Sequence, residues 1–176
     1  MELWLPSKTY TLDGLTSANN AIGFLSFKIN AYAQSGLSMK FIDIKSNEGD
    51  NRWNAGGVIV DNFFTVSAPV TSGWFTKTTK VTVSGWDGLT LKTVEVGDDK
   101  FTGWIDVKMI IELSASDDTV TVHYYIDGKY VGTKSKALTT LGNCISGVYV
   151  SGYTKDQGSG LMLDDVAFGC SFGKRS

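Results

Sequence analysis

Histidine, cysteine, proline and net charge are all scarce in this chain, and most of these scarcities close a class of function. One histidine in 176 residues excludes any site built on a histidine pair. Two cysteines, Cys144 and Cys170, are too few for a disulfide framework or a cysteine-based zinc site. A formal net charge of −2 supplies no basic field, so neither nucleic acid nor an anionic membrane surface is expected as a partner. No apolar run approaches the ~20 residues of a spanning helix, so no membrane insertion is expected. The opening "MELWLPSK" lacks the charged and apolar regions of a signal peptide; on this reading an exported protein has lost its signal and Met1 is an added start.

What the chain does have is glycine and β-formers. Twenty glycines against two prolines, abundant Thr, Val and aromatics, and almost no helical periodicity describe an all-β domain. The length fits one domain that can bury ~70% of its unfolded surface, expected over residues 1–170 with a tail over 171–176. Strands are predicted at "IGFLSFKIN", "LSMKFIDIK", "GGVIVDNFFTVS", "KVTVSG", "TLKTVEV", "WIDVKMIIEL", "TVTVHYYI", "KYVGTKS", "SGVYVSG" and "LMLDDVAFG", with turn signals between them. The clearest unit runs from Trp104 to Thr133. Ile105, Val107, Met109, Ile111 and Leu113 alternate with Asp106, Lys108 and Glu112, and Val120, Val122, Tyr124 and Ile126 alternate with Thr121, His123 and Tyr125. Each strand therefore has one wet face, and Asp127-Gly128 marks a tight hairpin into the next strand. The two cysteines lie in strand-like segments near the C-terminal end, where they either pair and clip the last strand to an earlier one or stay as two free buried thiols.

Trp104 with its alternating strand, then "VTVHYYIDGKYVG", a glycine-rich stretch and "GLMLDDVAFG", resembles the laminin-G-like and wider concanavalin A-like lectin/glucanase superfamily. The resemblance implies two antiparallel sheets packed as a jelly-roll β-sandwich. It also implies ligand binding on the concave face of the curved sheet or at the loops of its rim, and a C-terminal disulfide between Cys144 and Cys170. Glycoside hydrolysis needs two carboxylates about 5–5.5 Å or 6.5–9.5 Å apart. Hydrolases of this fold carry a Glu-x-Asp-x-Glu strand, but here Asp43 is flanked by Phe41 and Lys45. His123 reads as an ordinary residue of a wet face, and no nucleophile elbow, P-loop or dinucleotide fingerprint is present. An enzyme is therefore not expected.

Sugars are held by aromatic faces and planar polar groups, so tryptophans outside the core are the informative residues. Trp104 is assigned to packing and Trp4 to the core or terminus. Trp53 stands in the polar loop "NEGDNRWNAGG", Trp74 in "TSGWFTK" and Trp86 in "SGWDG". The ligand is expected to be held by one or more of these three, with Arg52, Asn54 and Asp87 as polar partners and Tyr153 as a further candidate for the same surface. The plainer reading of each tryptophan is that it folds back onto the sandwich. Asp164-Asp165 is a separate puzzle: in a strand one of the two must face inward, at a cost of several kcal/mol unless it is paired. The resemblance implies a structural calcium there, with Glu2 or Asp13 as partner; backbone amides or a lysine are the alternatives. Asp165 is the favoured inward acid. The expected function is a non-catalytic carbohydrate-binding or lectin-like module of a larger secreted or cell-surface protein. A protein-binding adhesion domain is the rival, and a divergent hydrolase or lyase comes third.

Overall fold

Period-two alternation leaves each strand with one apolar face, and two such faces must meet to leave water. The structure, a computed structural model, describes residues 2–4, 19–42, 59–97, 100–114, 119–137, 147–154 and 160–174. They form β1 (Glu2–Trp4), β2 (Asn19–Ala31), β3 (Ser35–Ile42), β4 (Ile59–Ser67), β5 (Val70–Ser72), β6 (Lys77–Gly85), β7 (Thr90–Gly97), β8 (Ile105–Ser114), β9 (Thr119–Ile126), β10 (Lys129–Ala137), β11 (Gly147–Thr154) and β12 (Leu161–Lys174). One sheet has seven strands in the order β1-β11-β3-β4-β6-β5, with β7 also on β6; the other has five, β10-β9-β8-β2-β12. The fold is the expected all-β, two-sheet antiparallel sandwich. All ten predicted strands are present; β1 and β5 are additional. Strand β12 also passes the expected start of the tail, pairing Ser171 with Ile22 and Lys174 with Asn19.

Leu25, Phe27, Ile29, Val107, Met109, Val122 and Tyr124 of the five-stranded sheet are buried against Met39, Phe64, Val66, Val81 and Val83 of the other. Phe27 meets Phe64 edge to face at 5.4 Å between centroids, a geometry favoured by the ring quadrupoles. The Tyr124 hydroxyl crosses this core. It donates to the Phe63 carbonyl at 2.7 Å and accepts from the Trp86 amide at 2.9 Å, tying β9 to the opposite sheet at two points. Gly85 makes the crossing possible, since a Cβ there would come within 2.7 Å of the Tyr124 ring.

Two Asp-Gly turns close hairpins on opposite sheets. Asp127 and Gly128 (φ 50° and 74°) join β9 to β10 as expected, and Asp87 and Gly88 (φ 53° and 73°) join β6 to β7. Positive φ at both central residues is what a primed turn demands. Each aspartate reaches a lysine of the other sheet: Asp87 Oδ1 is 2.7 Å from Lys136 Nζ, and Asp127 is paired with Lys92. Asp127 also accepts from the Asp106 amide at 3.1 Å. Partial burial alone would raise the Asp127 pKa, but the Lys92 ammonium and the Asp106 amide outweigh it and hold the carboxyl below its usual range.

Replacing Tyr124 by Phe strands a buried amide and carbonyl and is expected to cost about 1–3 kcal/mol in urea unfolding; Gly85→Ala is expected to cost about 1–3 kcal/mol by overpacking. Burial raises the Tyr124 pKa above its ordinary value. The unfolded chain ionises this group near pH ~10 while the folded chain keeps it neutral, so its contribution is complete below that pH and is lost as pH rises further. Stability measured above pH ~10 should therefore fall less steeply in Tyr124→Phe than in the parent.

Candidate functional site

Trp74 and Trp86, two of the three tryptophans expected to offer a stacking surface, stand beyond opposite ends of β6. Trp86 is 0% exposed, which corrects its assignment to ligand binding: the Asp87-Gly88 turn folds its ring into the core, where Lys136 covers it at 5.0 Å from the ring centroid. The carboxylate of Asp87 is engaged by the same lysine. Trp74 is 97% exposed at the tip between β5 and β6. Arg52, Trp53 and Asn54 lie outside the described residues, and Tyr153 stands on β11 opposite Gly36.

A different aromatic surface is assembled on the outer face of the five-stranded sheet. Inward Val120, Val122, Tyr124 and Ile126 are buried, which turns Thr121, His123 and Tyr125 outward. The Asp127-Gly128 turn sets Tyr130 directly opposite Tyr125, with ring centroids 5.5 Å apart at 63°. Tyr125 is flanked on its other side by Lys108, His123 by Ile110, and Thr121 by Glu112. His123 Nε2 lies 3.1 Å from Glu112 Oε2, an ion pair only when the imidazole is protonated. The Thr121 and Ser135 hydroxyls are 2.7 Å apart.

Trp104 precedes β8 on the parity of Asp106 and Lys108 and is 48% exposed, while Tyr130 is 55% exposed. The exposure of Trp104 corrects the expectation that it packs inward: the inward positions of β8 begin at Ile105. From Trp104 to Lys108 the strand advances about 13 Å, room for a ligand of several rings laid along the sheet. Sequence reasoning recognised the wet face but not its aromatic content. The signals were the even parity of Trp104 and the two-residue turn that pairs Tyr125 with Tyr130.

The aspartate doublet resolves without an inward acid. Pairing of β12 with β2 slips between Asp164, opposite Lys28, and Ala167, opposite Ser26. That inserts a β-bulge with Asp165 in the left-handed region at φ 51°, a conformation that Asp tolerates better than most residues. Both acids are exposed, so the favoured inward role of Asp165 is corrected. Its carboxylate meets Lys28 Nζ at 2.6 Å, and Asp164 Oδ1 accepts the Asp165 amide at 2.8 Å. The Lys28 ammonium donates to Asp165, which raises the Lys28 pKa first through that hydrogen bond and then through the carboxylate's charge.

A calcium ion needs six to eight oxygen ligands. Among the described residues no cluster of three or more His, Cys, Asp or Glu is found, and the carboxylates at the bulge already serve a lysine and an amide. The Glu2 side chain and Asp13, the expected partners, lie outside the described residues. So does Cys144, and with it the expected pairing to Cys170.

No protein-family model matches the chain, and no curated protein matches it. Among solved structures it is similar to sheep galectin-11 in complex with glycerol, at 12% identity over 94% of this chain and 99% of that one, with a TM-score of 0.38. An alginate lyase mutant in complex with an alginate tetrasaccharide is similar at 15% identity over 84% and 68% of the two chains, TM-score 0.41. A legume lectin-like domain from Entamoeba histolytica matches at 8% identity over 100% and 76%, TM-score 0.40. These are likenesses of fold.

If the bulge rather than a metal organises this part of β12, Asp165→Gly should leave the melting temperature nearly unchanged, because glycine keeps the left-handed backbone and an exposed ion pair contributes little. A β-branched Asp165→Val should cost about 1–2 kcal/mol.

Proposed function

We propose that the protein is a non-catalytic, lectin-like carbohydrate-binding module, exported as part of a larger secreted or cell-surface protein, and that the outer face of the five-stranded sheet is its glycan surface. One observation carries this reading. Tyr125 and Tyr130 share an open face with Lys108, Glu112, His123 and a pair of hydroxyls, and the exposed Trp104 precedes β8 on the parity of Lys108. Aromatic faces cover the apolar side of a sugar ring, and carboxylate, imidazole and ammonium groups take its hydroxyls in directional bonds. The loop of Arg52, Trp53 and Asn54 belongs to the same proposal. The test is retention on immobilised polysaccharides or a glycan array: Tyr125→Ala, Tyr130→Ala and Trp104→Ala should each weaken binding about tenfold, a loss of ~1.4 kcal/mol. Binding untouched by all three removes the site.

A catalytic reading rests on His123, Tyr125 and Lys108, the grouping on this face with acid–base capacity. Turnover of a uronic-acid polymer that disappears in His123→Ala would replace binding by catalysis as the function.

A further inference from the structure

Among the described residues, the most exposed large hydrophobic side chains are absent from that face. Trp74 is 97% exposed and its neighbour Phe75 is 93% exposed, with ring centroids 6.3 Å apart at 76°. They form the tip between β5 and β6, where the Gly73 amide donates to the Thr76 carbonyl at 2.7 Å. The tip therefore has a defined turn that holds both rings in water. Presenting two aromatic side chains to water forgoes the free energy that burial would supply, and at this exposure the fold gains little packing from them.

The surroundings of the tip narrow the occupant. Every residue from 71 to 78 is exposed, and the collar consists of Thr71, Ser72, Thr76 and Thr78 with Lys77. From Asn62 to Trp86 the chain has no acidic residue and two charges, Lys77 and Lys80; Glu95 stands opposite Lys80 at the base of the hairpin. A protein partner would require a preformed pocket shaped for both rings. The interfacial layer of a bilayer accepts a projecting Trp-Phe tip without shape complementarity, and threonine and serine hydroxyls with a lysine suit the headgroup level just above it.

We propose that the Trp74-Phe75 hairpin is a peripheral anchor that inserts into the interface of a phospholipid bilayer. The low net charge argued against a membrane partner drawn by electrostatics; insertion by two aromatic side chains needs no such field. The proposal does not use Tyr125 or Tyr130 of the glycan reading, which lie on the five-stranded sheet. The probe is co-sedimentation with phosphatidylcholine vesicles, with and without phosphatidylserine, alongside the glycan array. The intact protein should partition onto both vesicles. Trp74→Ala and Phe75→Ala should each reduce partitioning about tenfold while far-UV circular dichroism stays unchanged, and Lys77→Gln should weaken only the salt-sensitive increment on phosphatidylserine. Absence of vesicle binding, vesicle binding indifferent to Trp74→Ala and Phe75→Ala, or loss of glycan binding in Trp74→Ala without loss of vesicle binding would each overturn it.

Discussion

The Tyr124 hydroxyl, buried between the sheets, is the contact on which their alignment depends. Buried without partners it would cost about 1–3 kcal/mol; here it donates to Phe63 on one strand of the opposite sheet and accepts from Trp86 at the end of another. The register of the two sheets follows, because sliding one past the other by a residue would orphan the hydroxyl, the amide and the carbonyl together. Gly85 supplies the space, and Trp86, once its amide is engaged, must lie inside. The same contact that locks the sandwich thus removes Trp86 from the surface.

Around this clasp the two hairpins reinforce each other reciprocally. Asp87, in a turn of the seven-stranded sheet, holds Lys136 of the five-stranded sheet, while Asp127, in a turn of the five-stranded sheet, holds Lys92 of the other. Both aspartates occupy a left-handed position where Asp is among the few acceptable side chains, so one residue type satisfies the turn and the cross-sheet pair. Each pair is half in solvent and contributes modestly. Their joint effect is geometric: they fix how the β6–β7 and β9–β10 corners sit against the opposite sheet, and with them the pairing of Tyr125 and Tyr130.

What could be read from the sequence was what is decided locally. Strand alternation from Ile105 to Ile111 and from Val120 to Ile126 and the Asp127-Gly128 turn depend on near neighbours, and they stand in the structure as read. The doublet Asp164-Asp165 misled because alternation assumes an unbroken ladder, whereas a single inserted residue turns both acids to water. Trp86 and Trp104 misled in opposite directions for a related reason. Proximity to glycine made Trp86 look like a loop residue, although a hydroxyl on a strand of the other sheet draws it inward. Trp104 was set aside as core, although its own parity with Asp106 and Lys108 pointed outward.

The exposed aromatics do not all ask for the same explanation. A cross-strand tyrosine pair contributes ~0.2–1 kcal/mol to a sheet, so Tyr125 and Tyr130 would be retained by stability alone. That argument does not extend to Trp104, half exposed ahead of its strand, nor to Trp74 and Phe75, which touch little but each other. Where an aromatic adds nothing to the fold and remains in water, its free energy is available only to an encounter with something else. The two surfaces differ in what they can meet. A flat face with interspersed hydroxyls, imidazole and carboxylate suits a ligand rich in directional hydrogen bonds, and a narrow tip without acids suits a soft apolar layer. Because the tip belongs to a hairpin of the seven-stranded sheet and the flat face to the five-stranded sheet, each can be altered without disturbing the Tyr124 clasp or the other surface.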